Sequence, residues 1–312
     1  MLLTQKRLRQ LLGILWLIDG LLQLQPQMFT MNMVNGVMVP TMDSQPAPIA
    51  ASLQWIISVT THNLVLVNLT IAIVQIALGV LLISGLWVRG TIIASVVWAL
   101  VVWYGGEGMS MLLTGQAGIL TGAPGAVLLY PLLGLLVYPR KEDPEQGLLP
   151  RSSFRYIFAG FWFFAALLQV QPYWWQDGQI SQAIGGMVGQ GGLNGFLIDP
   201  LLQRVSDVTA HSEVPLNSAL IVVCLALGFV LVFVKEKQMR PVLIASIVVS
   251  ILIWWLAQGF GMIFTGMATD FNSGLLLVVM ALACWPRVSL QGVAQQRSVD
   301  GVPQPQSSAQ PV

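Results

Sequence analysis

The chain has 312 residues, of which 55% are hydrophobic and 9% charged, with a formal net charge of +1. So few charges exclude an ordinary soluble domain, in which about a quarter of residues are charged, and the near-neutral balance gives nucleic acid nothing to bind. Its continuous apolar runs approach the ~20 residues that carry a helix across about 30 Å of hydrocarbon, and they lack the alternation of a membrane barrel.

In chain order, Lys6, Arg7 and Arg9 precede the first apolar run. That start has the features of a secretory signal. No small-x-small cleavage site follows it, however, and the segment returns at residues 156–171, so retention as a span is expected. Spans are predicted at residues 8–25, 63–86, 90–112, 119–138, 155–171, 216–234, 241–263 and 272–286. Residues 26–62 and 172–215 are too long for simple connections. In the first, Leu53, Ile56 and Ile57 at helical spacing beside Trp55 predict a short helix over 49–59, lying in the interface. Its counterpart, 200–208, is more polar, with Arg204 and Asp207. The second loop also carries Gly185-Gly186 and a glycine-rich stretch over 189–192, read as flexible. Residues 141–154 form a charged linker, and 288–312, rich in Gln, Ser, Pro and Val, are expected to be a disordered tail.

This order of elements is written twice. Leu22-Gln23-Leu24-Gln25-Pro26 returns as Leu168-Gln169-Val170-Gln171-Pro172. Arg89, Ser95, Trp103, Gly108, Met111, Thr114 and Gly115 return at one constant spacing as Arg240, Ser246, Trp254, Gly259, Met262, Thr265 and Gly266. Both copies end in aromatic-Pro-Arg, at Tyr138-Pro139-Arg140 and Trp285-Pro286-Arg287. The division expected is a first four-helix membrane repeat (1–140), the linker (141–154), a second four-helix repeat (155–287) and the tail (288–312). All Lys and Arg residues except Arg204 fall on one side of this arrangement, so both termini are expected in the cytoplasm and the site of residence is the plasma membrane. An even number of spans per copy makes the repeats parallel. The predicted fold is therefore all-α and integral to the membrane, with eight transmembrane helices in two parallel, pseudo-symmetric four-helix repeats.

The differences between copies point to chemistry. Asp19 sits in the first span with Gln23 one turn on, and its counterpart is Ala165. A carboxylate there costs ~3 kcal/mol on insertion scales, so it faces protein or water, or is protonated, or else reaches headgroup water. Glu107 follows Trp103-Tyr104-Gly105-Gly106, where the second copy has Gln258, an amide of the same size that cannot ionise. The pattern suggests one active half and one structural half, with Glu107 as an acid or base; a helix-end residue that satisfies backbone is the plainer account. The only histidines, His62 and His211, fall at equivalent places before a helix, each with an asparagine six residues later (Asn68 and Asn217). Related by a pseudo-twofold axis, they could meet on a metal or haem, although polar residues at the interface explain them equally. Copper held by methionine is a weaker idea, because Met28, Met31 and Met33 read as loop packing. The tryptophans mostly suggest interfacial belts, with Trp103, Tyr104 and Trp254 also able to wall a pocket for a flat ligand. Cys224 and Cys284 read as small core residues. The glycines and prolines of 114–139 and the shortness of the eighth apolar run predict broken spans lining a cavity near the outer leaflet, beside the shared Gly-x-(Ser/Gly)-Met-x-x-Thr-Gly motif with Thr114 and Thr265.

Arg9-Gln10-Leu11-Leu12-Gly13, together with Ile76-Ala77-Leu78-Gly79-Val80-Leu81-Leu82-Ile83-Ser84-Gly85-Leu86-Trp87-Val88-Arg89, resembles the DoxX-like four-helix membrane proteins. Of the second-helix motif, the second half keeps Leu227-Gly228. The resemblance implies a tandem fusion of two such units. Because the DoxD-like members are membrane subunits of thiosulfate:quinone oxidoreductase, it also implies a respiratory or redox component with other membrane or periplasmic redox subunits as partners. On that expectation a quinone, ahead of haem or copper, sits between the repeats; Glu107 and Asp19 handle protons, and His62, His211, Trp103, Tyr104, Gln258, Thr114, Thr265 and Gln23 line the ligand. The alternatives are a small-solute transporter dependent on a proton gradient and a non-catalytic anchor or assembly subunit. No metal site is assigned.

Overall fold

Lipid offers no partner for a free backbone amide, so an apolar chain of this kind must close its hydrogen bonds within helices. The computed structural model describes residues 4–140, 147–189 and 194–286, and among them the chain is all-α, with no strand. Its helices are α1 (Gln5–Leu22), α2 (Ala47–His62), α3 (Leu64–Ser84), α4 (Val88–Gly105) and α5 (Ala126–Val137), then α6 (Arg151–Gln169), α7 (Gln179–Gly185), α8 (Asn194–Leu197), α9 (Asp199–Thr209), α10 (Glu213–Phe233), α11 (Met239–Leu256) and α12 (Asn272–Ala283).

Among the described residues four helical segments are long and apolar enough to cross a membrane. They are α3, α4, α10 and Glu236–Leu256, which contains α11, with mean hydropathies of 2.5, 1.5, 2.6 and 2.0. α1 and α6, at 18 and 19 residues, are about 27–29 Å long, but they are inner helices with broad buried faces. α1 buries Leu8, Leu12, Leu15, Trp16 and Asp19; α6 buries Phe154, Phe158, Phe161, Trp162 and Ala165. Each lies along one long apolar partner, α1 on α3 and α6 on α10. Small residues set the first of these seams, as expected where helices pack inside lipid. Gly13 faces Gly79 and Ile83, and Gly20 faces Ala72 and Ile76.

α5 and α12 have 12 residues each, about 18 Å, and neither can cross hydrocarbon alone. Only the second part of the predicted span at 119–138 is helix. After α4 the chain runs through turns as far as Gly125, because Gly118, Gly122, Pro124 and Gly125 give a helix nothing to build on, and α5 starts only at Ala126. α12 starts at Asn272, after a similar run of turns.

A cleft of about 1450 Å³ fixes which helix ends lie together. It is lined by Lys6 at the start of α1, Val137 at the end of α5, Arg155 on the first turns of α6, Val234 after α10, Met239 at the start of α11 and Trp285 after α12. The expected helix over 49–59 is present as α2, which buries Leu53 and Ile57 and leaves Trp55 68% exposed. Its polar counterpart is α9. Met28 and Met33 pack in a small core beneath α2 with Val34, Met38 and Ile57. Gly185 closes α7; the glycines at 191–192, residues 141–146 of the linker and the tail lie outside the described residues.

A Cβ on Gly79 would sit 2.6 Å from the backbone nitrogen of Leu17, whereas one on Gly160, in α6, meets nothing within 4 Å. Gly79→Ala should lower the detergent-solubilised melting point, by about 1–3 kcal/mol of overpacking. Gly160→Ala should leave it unchanged or raise it by up to about 1 kcal/mol of helix propensity.

Candidate functional site

The site is built where α4 and α11 end and the chain re-enters the bundle to start α5 and α12. In both places the backbone makes a left-handed turn of four residues. Gly108, Met109, Ser110 and Met111 have φ of 53°, 55°, 51° and 59°; Gly259, Phe260, Gly261 and Met262 have 50°, 55°, 71° and 57°. Left-handed backbone costs side-chain-bearing residues roughly 1–2 kcal/mol each, so a turn kept in both copies must be held by its surroundings. Thr114 and Thr265 do part of this work. Each hydroxyl donates to the carbonyl three residues back (Met111 at 2.7 Å, Met262 at 2.8 Å) and accepts from the amide two residues on. The two threonines, expected to line a ligand, are turn-formers instead.

The turn delivers Glu107 and Gln258 to the starts of the two short helices. Glu107 Oε1 accepts from the amide of Val127 at 3.2 Å, and Oε2 accepts from Ser110 Oγ at 3.0 Å. Gln258 Oε1 accepts from the amide of Gly274 at 2.9 Å, while its Nε2 donates to Ser273 Oγ and to the carbonyl of Ile119. Both side chains thus satisfy first-turn amides that no helix can satisfy for itself, and the charge on Glu107 also suits the positive end of α5. Trp103 and Trp254 support the same junctions, donating to Pro124 O at 2.7 Å and to Phe271 O at 2.5 Å.

The two halves grip each other reciprocally. Gln25 Nε2 donates to the carbonyl of Ala268 at 3.3 Å, and Gln171 Nε2 donates to the carbonyl of Ala117 at 3.1 Å. Trp174, fully buried against Gly118, also donates to Ala117 O. Its place in an interfacial belt is therefore corrected: the indole is packing inside the bundle.

Asp19 lies deeper. It is 2% exposed, and its Oδ2 accepts from the phenol of Tyr130 at 2.5 Å. Trp16, one turn earlier, packs against Tyr130 with the rings tilted by 47° at 4.5 Å between centroids, and donates to Ser95. Gln23 is 4% exposed, and its backbone carbonyl accepts from Asn68 Nδ2 at 2.8 Å; Asn217 and Gln169 repeat that bond at 2.9 Å. Asp270, in the turn before α12, lies within electrostatic reach of Asp19, Glu107 and Tyr130. Among the described residues none of the three carboxylates makes an ion pair. Three like charges in an interior poor in water demand compensating positive charge, supplied by protons or by a cation.

Sequence reading missed Tyr130, Ser110 and Asp270. Tyr130 left a signal, since it interrupts an apolar run and the residue at its place in the second copy is Leu277. Asp19 and Tyr130 are thus replaced together, by Ala165 and Leu277, both buried.

The histidines do not converge on this layer. His62 is the last residue of α2, exposed, and donates through Nδ1 to the carbonyl of Ser58 at 2.7 Å. It ends α2 and stands two residues before α3, the helix it was expected to precede. His211 is exposed and pairs with Asp177 at 2.9 Å. Tyr104 shares a hydrogen bond of 2.5 Å with Ser52 on α2. The 1450 Å³ cleft lies at the end rich in Lys and Arg, and neither it nor a small groove along α4 and α5 is lined by Asp19, Glu107 or Tyr130. Cys224 is buried and Cys284 half-buried, and both are free thiols.

Fold and site together define an all-helical membrane protein in which Asp19 is buried and Glu107 and Asp270 are half-buried. No family model, curated protein or solved structure matches the chain.

Glu107→Gln, which copies Gln258, should keep the cap on α5 and leave the melting point nearly unchanged. Glu107→Ala should lower it by about 0.5–2 kcal/mol. At the surface, the Asp177 carboxylate raises the pKa of His211 above its usual value. Because the folded value is the higher one, the pair's contribution is complete below pH about 6.5 and is lost as pH rises through the folded value. Imidazole titration by NMR should show His211 returning to about 6.5 in Asp177→Asn.

Proposed function

We propose that the chain is an ion-coupled carrier of a small solute. One observation carries this reading. Two short helices begin inside the bundle at matching places, and carboxylates without ion-pair partners gather around one of those starts. Interrupted helices that meet near mid-membrane are how many carriers present polar groups to a solute and its coupling ion, while the rest of the bundle stays sealed. In this reading the chain has eight spans in two parallel, like-oriented repeats, with α5 and α12 and the turns before them forming the fourth span of each. Both termini face the cytoplasm of the plasma membrane. The halves derive from a tandem fusion of DoxX-like units, and the reciprocal bonds of Gln25 and Gln171 hold them in one arrangement of the transport cycle. Asp19 and Tyr130 belong to the working half, and Ala165 and Leu277 to its supporting twin.

A second reading, a quinone-linked redox subunit, is favoured by the acid–phenol pair itself. A proton passed between Asp19 and Tyr130 is what reduction of a quinone consumes. Extraction of the purified protein with organic solvent and mass measurement of any quinone would bring that reading forward.

The carrier reading is tested in proteoliposomes on a solid-supported membrane, challenged in turn with amino acids, carboxylates, sugars and amines. One class should evoke a transport current. That current should fall at least roughly tenfold in Asp19→Asn, which removes the charge a coupling ion answers. A current unchanged in that variant removes the acid from the mechanism.

A further inference from the structure

We propose that the first half holds a monovalent metal cation, sodium, between α1 and α3, on a site made by Asp19, Gln23, Asn68 and Gln75. All four side chains are buried, at 2%, 4%, 0% and 4% exposure. Each presents one oxygen that no donor meets: Asp19 Oδ1, Gln23 Oε1, Asn68 Oδ1 and Gln75 Oε1.

They share one seam. The helices run antiparallel there, with Leu17 against Gly79, Gly20 against Ala72 and Ile76, and Gln23 bonded to Asn68. Gln75 falls between Ala72 and Gly79, three and four residues from each, and so on the face that meets α1. Asp19 and Gln23 are one turn apart on the side of α1 that borders this seam, where Asp19 also meets Tyr130 of α5. Asn68 is oriented by its own donation to Gln23 O, which leaves Oδ1 as the free atom.

A proton does not satisfy this set. Asp19 already accepts from Tyr130 through Oδ2, and a carboxylic acid has one hydrogen to give. Protonation at Oδ1 would therefore supply a single donor and leave amide oxygens unmet, at a cost of about 1–3 kcal/mol for each buried orphan. A hard cation answers several oxygens at once, and carboxylate and carbonyl oxygens are the ligands hard cations take. The set carries one negative charge, from Asp19, and the amides are neutral. A monovalent ion balances it, whereas a divalent ion would leave a net positive charge in a low-dielectric interior.

The second half serves as an internal control. Gln169 and Asn217 keep the amides, but Ala165 stands in the place of Asp19 and Cys224 in the place of Gln75. Gln169 Oε1 and Asn217 Oδ1 are unmet there too, but the charge and one ligand are gone together, so that copy has no anion to draw a cation.

The site deepens the carrier reading by naming its coupling ion, but the ion's binding needs no transport. Purified protein is melted in sodium, potassium or choline chloride at equal ionic strength, and its uptake of radioactive sodium is measured at equilibrium. Sodium should raise the melting point above choline and bind at one ion per chain. Asp19→Asn and Gln75→Leu should each weaken binding by at least roughly tenfold, the loss seen even for outer-shell partners of a metal. Asp177→Asn, at the surface, should bind as the parent does. Equal melting in the three salts, or no saturable sodium uptake, overturns the site without needing any variant to fold. The buried oxygens would then be answered by ordered water only. Saturable sodium binding without any solute current would keep the site and sink the carrier reading; a solute current independent of sodium, with no binding, would do the reverse.

Discussion

Backbone that leaves a helix inside hydrocarbon has to find every hydrogen-bond partner within the protein. The structure is organised by how that demand is met. Each copy breaks its last helix and turns left-handed through four residues, and side chains then close the exposed amides and carbonyls. Glu107 and Gln258 take the first-turn amides; Trp103 and Trp254 take the carbonyls just before the short helices; Gln25 and Gln171 cross over to the other half. Because the partners are side chains of fixed reach, the breaks are also rigid. That is what lets ionisable groups be placed at them.

Within the shared polar landmarks, a few differences between the two segments fall around α1 and its neighbours. Asp19, Gln75, Glu107 and Tyr130 stand where Ala165, Cys224, Gln258 and Leu277 stand in the second copy. Glu107 becomes an amide that still caps, so the fold keeps what it needs and loses only the charge. Asp19 and Tyr130 become apolar outright, as a hydrogen-bonded pair must if one member goes, since a lone phenol or carboxyl would be left without its partner. Paired loss of this kind is expected when a site is abandoned while its scaffold is kept.

The all-helical, membrane-competent character was legible in the sequence, because apolar run length is a property of composition. The break before α5 was visible as Gly118, Gly122, Pro124 and Gly125, and the surface helix α2 as Leu53 and Ile57 at helical spacing. The site was only half legible. Asp19 and Glu107 announced themselves as charges in apolar context. Tyr130 lies 111 residues from its partner Asp19 in the chain, and no local pattern connects them. The left-handed turns were hidden for a different reason: Met109, Ser110 and Met111 are residues whose intrinsic preference is against φ > 0, so tertiary structure overrode the local signal. Trp174 was misplaced because a tryptophan near a span end fits an interfacial belt as readily as a buried wedge.

The crossed bonds have a consequence for how the molecule is made. Ala117 finds its two donors in Gln171 and Trp174, more than 50 residues downstream. A ribosome that has threaded the first bundle into the bilayer has therefore delivered a unit with an unanswered carbonyl in its innermost turn. Only when the start of the second bundle arrives beside it does that turn close, and the newcomer's own turn in its place waits on Gln25, already there. Biogenesis is thus an ordered handshake, in which the earlier-made bundle is a template held open for its sibling.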